Sequence, residues 1–221
     1  MADIRTTPTL SGFVGADEDP ISDSGRWLAS DTGVWVPAAR KGNKLTNSNT
    51  GTLGFSSWQP NTYDDNSPLE LWGLATGGGG GAGGEGWRMG FYQQGTGDGA
   101  GAGTIDGYSL VHFSAGSPLV IIRRYTNGGF TALASVGVGF LGGYFYFKRD
   151  GNNLEFWESA DAVTWTQILT ATDSTYHGAF RLALGAEDQG FGQICSWDHF
   201  GGGSSGNNTT LPQIIRRPST R

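Results

Sequence analysis

Four aromatic side chains, Trp58, Trp72, Trp87 and Tyr92, are the residues of this chain best suited to hold a ligand. Each lies in a short segment of strand-like composition, and an aromatic ring with one free face stacks on the C–H face of a sugar. The same rings would serve equally as core, where most aromatics of alternating strands go. Acid–base chemistry has weaker candidates. Glu155 and Glu158 are an odd number of residues apart on one strand and point to opposite faces. Paired carboxylates must instead converge across a substrate. Asp161 falls in the turn that follows, so all three read as solvated edge and loop carboxylates. His112, His177 and His199 sit on separate segments without HxxxH or HExxH spacing. No GxSxG elbow presents a serine nucleophile.

Two further patterns fail on physical grounds. Gly81, Gly83 and Gly86 match GxGxxG, but a dinucleotide site needs a helix to follow, and WRMGFYQQ does not supply one. Asp17, Glu18, Asp19 and Asp23 place oxygen ligands in one turn, while Pro20 and the missing DxDxDG spacing argue against calcium. The sequence therefore predicts no catalytic set, no metal and no cofactor.

The elements that must position the aromatics are strands. Residues 143–148, 153–158 and 163–170 read as three consecutive antiparallel strands, with Asp150-Gly151 opening the first hairpin loop. Further strands are predicted at 52–60, 68–75, 87–94, 106–113, 118–125, 130–137, 178–185 and 191–200. Turn signals every 8–12 residues are the spacing of a sandwich or barrel. In 68–75, Leu69, Leu71 and Gly73 alternate with Glu70, Trp72 and Leu74. No segment carries a helical period. Two glycine-rich runs, 76–86 and 95–103, read as surface loops on either side of the 87–94 strand.

Composition narrows the class. The 221 residues suit one large all-β domain, and 39 glycines without a Gly-X-Y period place the excess in loops. A net charge of −6 and a pI near 4.9 disfavour a nucleic-acid partner, which needs a basic footprint. Cys195 is the single cysteine, so no internal disulfide is expected and a reducing cytoplasm is the expected place of synthesis. The start, MADIRTTPTLSG, lacks the apolar region of a secretion signal. No apolar run reaches the ~18 residues of a membrane-spanning helix, so no membrane partner is expected. Residues 1–12 form a lead-in, 13–202 the body, and 203–221 a Gly/Ser linker with an arm. In that arm Leu211, Ile214 and Ile215 stand beside Arg216 and Arg217 as candidates for a subunit contact.

Three stretches resemble concanavalin A-like, laminin-G-like jelly rolls of the kind found in phage virion structural proteins and bacterial surface proteins. FVGADEDPISDSGRW (13–27) is similar to their opening strand and turn. GYFYFKRDGNNLEFWESADAVTWTQI resembles their central hairpin, and ICSWDHFGG (194–202) their closing strand. Gly15 stands where the opening motif has Arg, and Ala162 where the turn has Gly. The resemblance implies a two-sheet antiparallel jelly-roll sandwich whose first and last strands pair, with its glycine-rich loops at one end. The expected core is Phe13, Trp27, Leu71, Leu110, Ile122, Phe145, Phe156, Trp165, Leu182 and Ile194. The paired acidic strand motif of the glycosidases with this fold is missing, which argues against an enzyme. The leading expectation is a phage virion structural protein, a capsid decoration or tail-associated subunit that contacts other virion proteins or its own copies. The alternative is a carbohydrate-binding module for receptor or cell-wall glycans, stacking on Trp58, Trp72, Trp87 and Tyr92.

Overall fold

The computed structural model describes residues 62–77, 85–94, 105–113, 119–127, 129–138, 143–188 and 195–204, together with the backbone of five short strands between 27 and 58. The described residues contain strands and turns and no helix. Nine strands form one sheet: β1 (Trp27–Ala29), β2 (Val36–Pro37), β5 (Thr52–Trp58), β6 (Tyr63–Asp64), β8 (Glu85–Gln94), β9 (Ile105–Phe113), β10 (Leu119–Thr126), β11 (Gly129–Gly137) and β15 (Ala179–Asp188). Its main order is β1-β5-β15-β8-β9-β10-β11. The other seven are β3 (Ala39–Lys41), β4 (Lys44–Thr46), β7 (Leu69–Thr76), β12 (Gly143–Asp150), β13 (Asn153–Ser159), β14 (Thr166–Thr172) and β16 (Ser196–Ser204), in the order β14-β13-β12-β7-β16-β4-β3. Pairing is antiparallel throughout except for the short contact of β2 with β5.

The predicted central meander is β12–β13–β14, in register from Tyr144 opposite Ser159 to Asp150 opposite Asn153. The third strand starts later than expected. Residues Ser159 to Thr164 form a turn in which the Asp161 carboxylate accepts hydrogen bonds from the amides of Val163 and Thr164 and the hydroxyl of Ser159. Those bonds hold its carboxyl down at about 2. Ala162 has φ of 61°, the left-handed conformation for which the resembled motif uses glycine.

The last strand, β16, pairs with β7 and β4, and β1 lies in the other sheet beside β5. The opening strand expected from residue 13 lies outside the described residues. The expectation that the glycine-rich loops share one end is corrected: the two runs adjoin opposite ends of β8. The last strand also begins and ends later than expected, at Ser196 and Ser204.

Alternation along each strand builds the core. Phe91 of β8 stacks on Phe147 of β12 across the sandwich, 5.0 Å between ring centroids. Phe145 meets Trp87, Phe156 and Trp197 edge-on at 6.0, 5.4 and 5.8 Å. The two indoles of the core are satisfied: Trp87 donates to the Ser196 carbonyl and Trp197 to the Gly185 carbonyl. Leu71, Leu110, Ile122, Phe145, Phe156 and Leu182 are buried as expected. Trp165 is not core; it lies half-buried on the outer side against Tyr146, because the turn carries it past the inward positions. Phe13, Ile194 and the Trp27 side chain lie outside the described residues.

Inside this apolar layer lies a polar pair. His112 of β9 and Glu158 of β13 face each other from opposite sheets, with Nε2 and Oε1 3.8 Å apart. His112 stacks on Phe145 and meets the edge of Trp87. Glu158 is therefore no solvated edge carboxylate: it continues the inward series Leu154, Phe156 and is 6% exposed. Burial drives the Glu158 carboxyl up to about 7 and the His112 imidazole down to about 4. Although the distance suits an ion pair, burial opposes charge on both partners, so the pair is neutral between those limits.

Two measurements check this architecture. Gly202 faces inward, and a Cβ there would sit 2.5 Å from the Glu70 carbonyl and 2.9 Å from Leu182 Cδ1. Gly202→Ala is expected to cost about 1–3 kcal/mol in urea unfolding, whereas Gly137→Ala, with no atom within 4 Å of its Cβ, should stay within about 0.5 kcal/mol. The second concerns protons. Between pH 4.5 and about 7 the folded chain keeps a proton on Glu158 that the unfolded chain has lost. That contribution to stability is complete below 4.5 and gone above 7. His112 acts in the opposite sense, its contribution present above 6.5 and lost as pH falls through about 4. The two slopes offset each other in the parent. Glu158→Gln removes one of them, so the variant should gain on the parent from pH 5 to pH 8 by on the order of 3 kcal/mol. Equal differences at the two pH values would mean that Glu158 holds no such proton.

Candidate functional site

The same alternation that sends Phe145 and Phe147 inward sends Tyr144, Tyr146 and Lys148 to the outer face of the seven-stranded sheet. Register then assembles a cross-strand row. Tyr146 lies opposite Trp72 of β7 on one side and Trp157 of β13 on the other. Gly201 of β16 continues the row beyond Trp72, and Gln167 of β14 continues it beyond Trp157. A parallel polar row runs beside it, with Lys148 between Glu70 and Glu155.

Glycine shapes the row at its β16 end. A Cβ on Gly201 would lie 2.4 Å from two carbons of the Trp72 indole and 2.7 Å from its Nε1. The ring thus occupies the space that a side chain at 201 would fill, laid across the neighbouring strand. Trp72 remains half-buried, and its Nε1 makes no hydrogen bond. Trp157 is also half-buried, and its Nε1 donates to Glu155 at 3.2 Å. Tyr146 forms the floor between them, 3% exposed, with its hydroxyl donating to Glu70 at 2.9 Å. Trp165 meets Tyr146 edge-on at 5.8 Å. Lys148 pairs with Asp150 at 2.9 Å.

Of the three expected stacking aromatics whose side chains are described, Trp72, Trp87 and Tyr92, only Trp72 is placed to meet a ligand. Trp87 is 1% exposed and belongs to the core, because the inward positions of β8 are Trp87, Met89 and Phe91. Tyr92 lies on the outer face of the nine-stranded sheet, but it folds over Gly90, packs against Tyr125 at 6.2 Å and is 2% exposed. Both expectations are corrected by burial. The Trp58 side chain and the arm residues Leu211, Ile214, Ile215, Arg216 and Arg217 lie outside the described residues, as does the acidic turn at 17–23. Tyr146, Trp157, Glu70 and Gly201 were not singled out as ligand contacts in the sequence, and Trp165 was expected in the core. The alternation of Tyr144 and Tyr146 with Phe145 and Phe147 marks one face, but pairing with Trp72 depends on contacts more than 70 residues away.

A second polar cluster ties down one end of the sandwich. Arg149 is 1% exposed, held between the rings of Phe180 and Tyr108. It donates to Asp65 at 2.9 Å and to the Tyr176 carbonyl at 2.6 Å. Burial alone would raise the Asp65 carboxyl, but the Gly178 amide, Arg149 and His177 outweigh it and hold it at about 2. Burial pushes the Tyr108 hydroxyl up to about 12, and it donates to Asp173, which also receives Arg124 at 2.7 Å. These bonds converge on residues 173–178 and fix that loop against β9, β10 and β12. His177 is exposed and backed by Asp65, yet no hydroxyl nucleophile hydrogen-bonds to it among the described residues. The cluster anchors a loop. Among the described residues no group of three metal-ligating side chains converges.

No family model matches the chain, and no curated protein matches it in sequence. Solved structures do match. The chain is similar to the VIP36 exoplasmic/lumenal domain in its Ca2+/Man-bound form, at 11% identity and a TM-score of 0.57, over 88% of this chain and 91% of that one. It is similar to the Emp47p carbohydrate recognition domain, at 11% identity and 0.59, over 88% and 94%. It is similar also to a legume lectin-like domain from Entamoeba histolytica, at 13% identity and 0.55, over 86% and 96%. At these identities the likeness is one of fold: the chain is an all-β, two-sheet sandwich of the legume-lectin-like, concanavalin A-like jelly-roll kind.

Proposed function

We propose that this domain binds carbohydrate on the outer face of its seven-stranded sheet, through Trp72 and Trp157 around Tyr146. The observation that carries this reading is the Trp72 indole lying across Gly201 on a sheet face, half-buried and fixed in place. A sugar presents an apolar C–H face to such a ring and hydroxyls to the Lys148, Glu155 and Gln167 side chains alongside. The fold supports the reading, since domains similar to this one include a carbohydrate recognition domain and a Man-bound structure. The site binds without turnover: its carboxylates are spent on Tyr146, Trp157 and Lys148. A virion location, with Leu211, Ile214, Ile215, Arg216 and Arg217 as a subunit contact, is a separate proposal that the glycan site neither requires nor opposes.

A glycan array probed with the full chain tests the reading. Trp72→Ala is expected to weaken binding about tenfold or more while leaving the thermal melting curve nearly in place. Gly201→Val should do the same by displacing the indole that occupies the space over residue 201. Parental binding by both folded variants, or no bound glycan at all, would overturn it.

A further inference from the structure

The geometry points to a neutral, unbranched oligosaccharide of three or more sugars, lying across the strands, as the ligand of this face. This inference rests on the carbohydrate-binding reading above and fixes the class of glycan. Adjacent strands are ~4.8 Å apart, so the backbones carrying Trp72 and Trp157, two strands from each other with β12 between, stand about 9.5 Å apart. A pyranose with its bridging oxygen advances by about one such strand spacing in an extended chain. Sugars one and three would therefore fall on Trp72 and Trp157, and the middle sugar over the Tyr146 floor. A site for one terminal sugar needs a single ring in a closed pocket. Here two half-buried indoles flank the buried Tyr146 phenol in one cross-strand row.

The row reaches the edge of the sheet on β14, where Gln167 lies exposed. On β16 the residues beside Trp72 and Glu70 are Gly201 and Gly203, which carry no side chain to interrupt it. Polar groups run along one side of the row and not across it. Lys148 and Glu155 lie half-buried side by side there, so sugar hydroxyls on that edge meet a donor and an acceptor while the ring faces meet indole. Charge sets the remaining part of the class. Glu155 and Asp150 outnumber Lys148 on the accessible part of this face, and the chain carries a net charge of −6, so uronic-acid chains are repelled.

Calorimetric titration of the full chain with neutral β-linked oligosaccharide ladders (gluco-, xylo-, manno- and chito-series, one to six sugars) tests this. Affinity for the bound series should rise about tenfold or more from one sugar to three and then level off. Trp157→Ala should flatten the ladder, and Trp157→Phe, which keeps a ring, should restore part of the slope. A monosaccharide bound as tightly as the hexamer, still dependent on Trp72, would overturn the chain-length inference and leave the binding site standing. Tight binding of an oligouronate would overturn the neutral class. No binding by any series, with an empty array, would overturn both this inference and the reading beneath it.

Discussion

One constraint governs this molecule: β12 must present opposite chemistry on its two faces. Phe145 and Phe147 fill the space between the sheets, with Phe147 stacked on Phe91 and Phe145 surrounded by Trp87, Phe156 and Trp197. Tyr144, Tyr146 and Lys148 are carried to the other face by the same backbone. A slip of one residue against β7 or β13 would exchange the two sets, burying Lys148 and exposing the phenylalanines. The core therefore fixes the register, and the register places Tyr146 between Trp72 and Trp157. Site geometry is a consequence of core packing.

The glycines of β16 complete that arrangement. Gly202 turns inward, where Leu182 of the facing sheet and the Glu70 carbonyl leave no room for a side chain. Gly201 turns outward, and the Trp72 indole takes the space. Strand glycines weaken a sheet unless close approach repays the loss. Here consecutive glycines serve opposite faces: one lets the sheets close, the other lets an indole settle on the strand.

Much of the architecture was legible in local sequence, because period-two alternation and turn chemistry are written residue by residue. The meander from Tyr144 to Thr172 and the inward Leu71, Leu110, Ile122, Phe156 and Leu182 follow from it. What could not be read depended on long-range pairing. Trp87 and Trp72 have similar local settings, yet inward alternation on β8 buries the first, while β16 supplies a glycine beside the second. Glu158 looked like an edge carboxylate because a charged side chain is seldom found inside. Its place is clear only when counted from Leu154 and Phe156 and seen opposite His112. The Ser159–Thr164 turn displaced Trp165 from the core because Asp161 binds the amides of Val163 and Thr164 before β14 begins.

Buried polarity is handled differently at the two ends of the sandwich, and the difference bears on the site. At the loop end, Asp65 and the Tyr176 carbonyl accept from the buried Arg149 guanidinium and two rings enclose it. Near the opposite end, burial opposes charge on His112 and Glu158, raising the carboxyl and lowering the imidazole. Glu158 directly follows Trp157 on β13, and the two side chains point to opposite faces of the same strand. One strand thus carries a site residue on its outer side and a buried polar group on its inner side, so the packing that seats Glu158 among the core rings also sets where the Trp157 backbone lies.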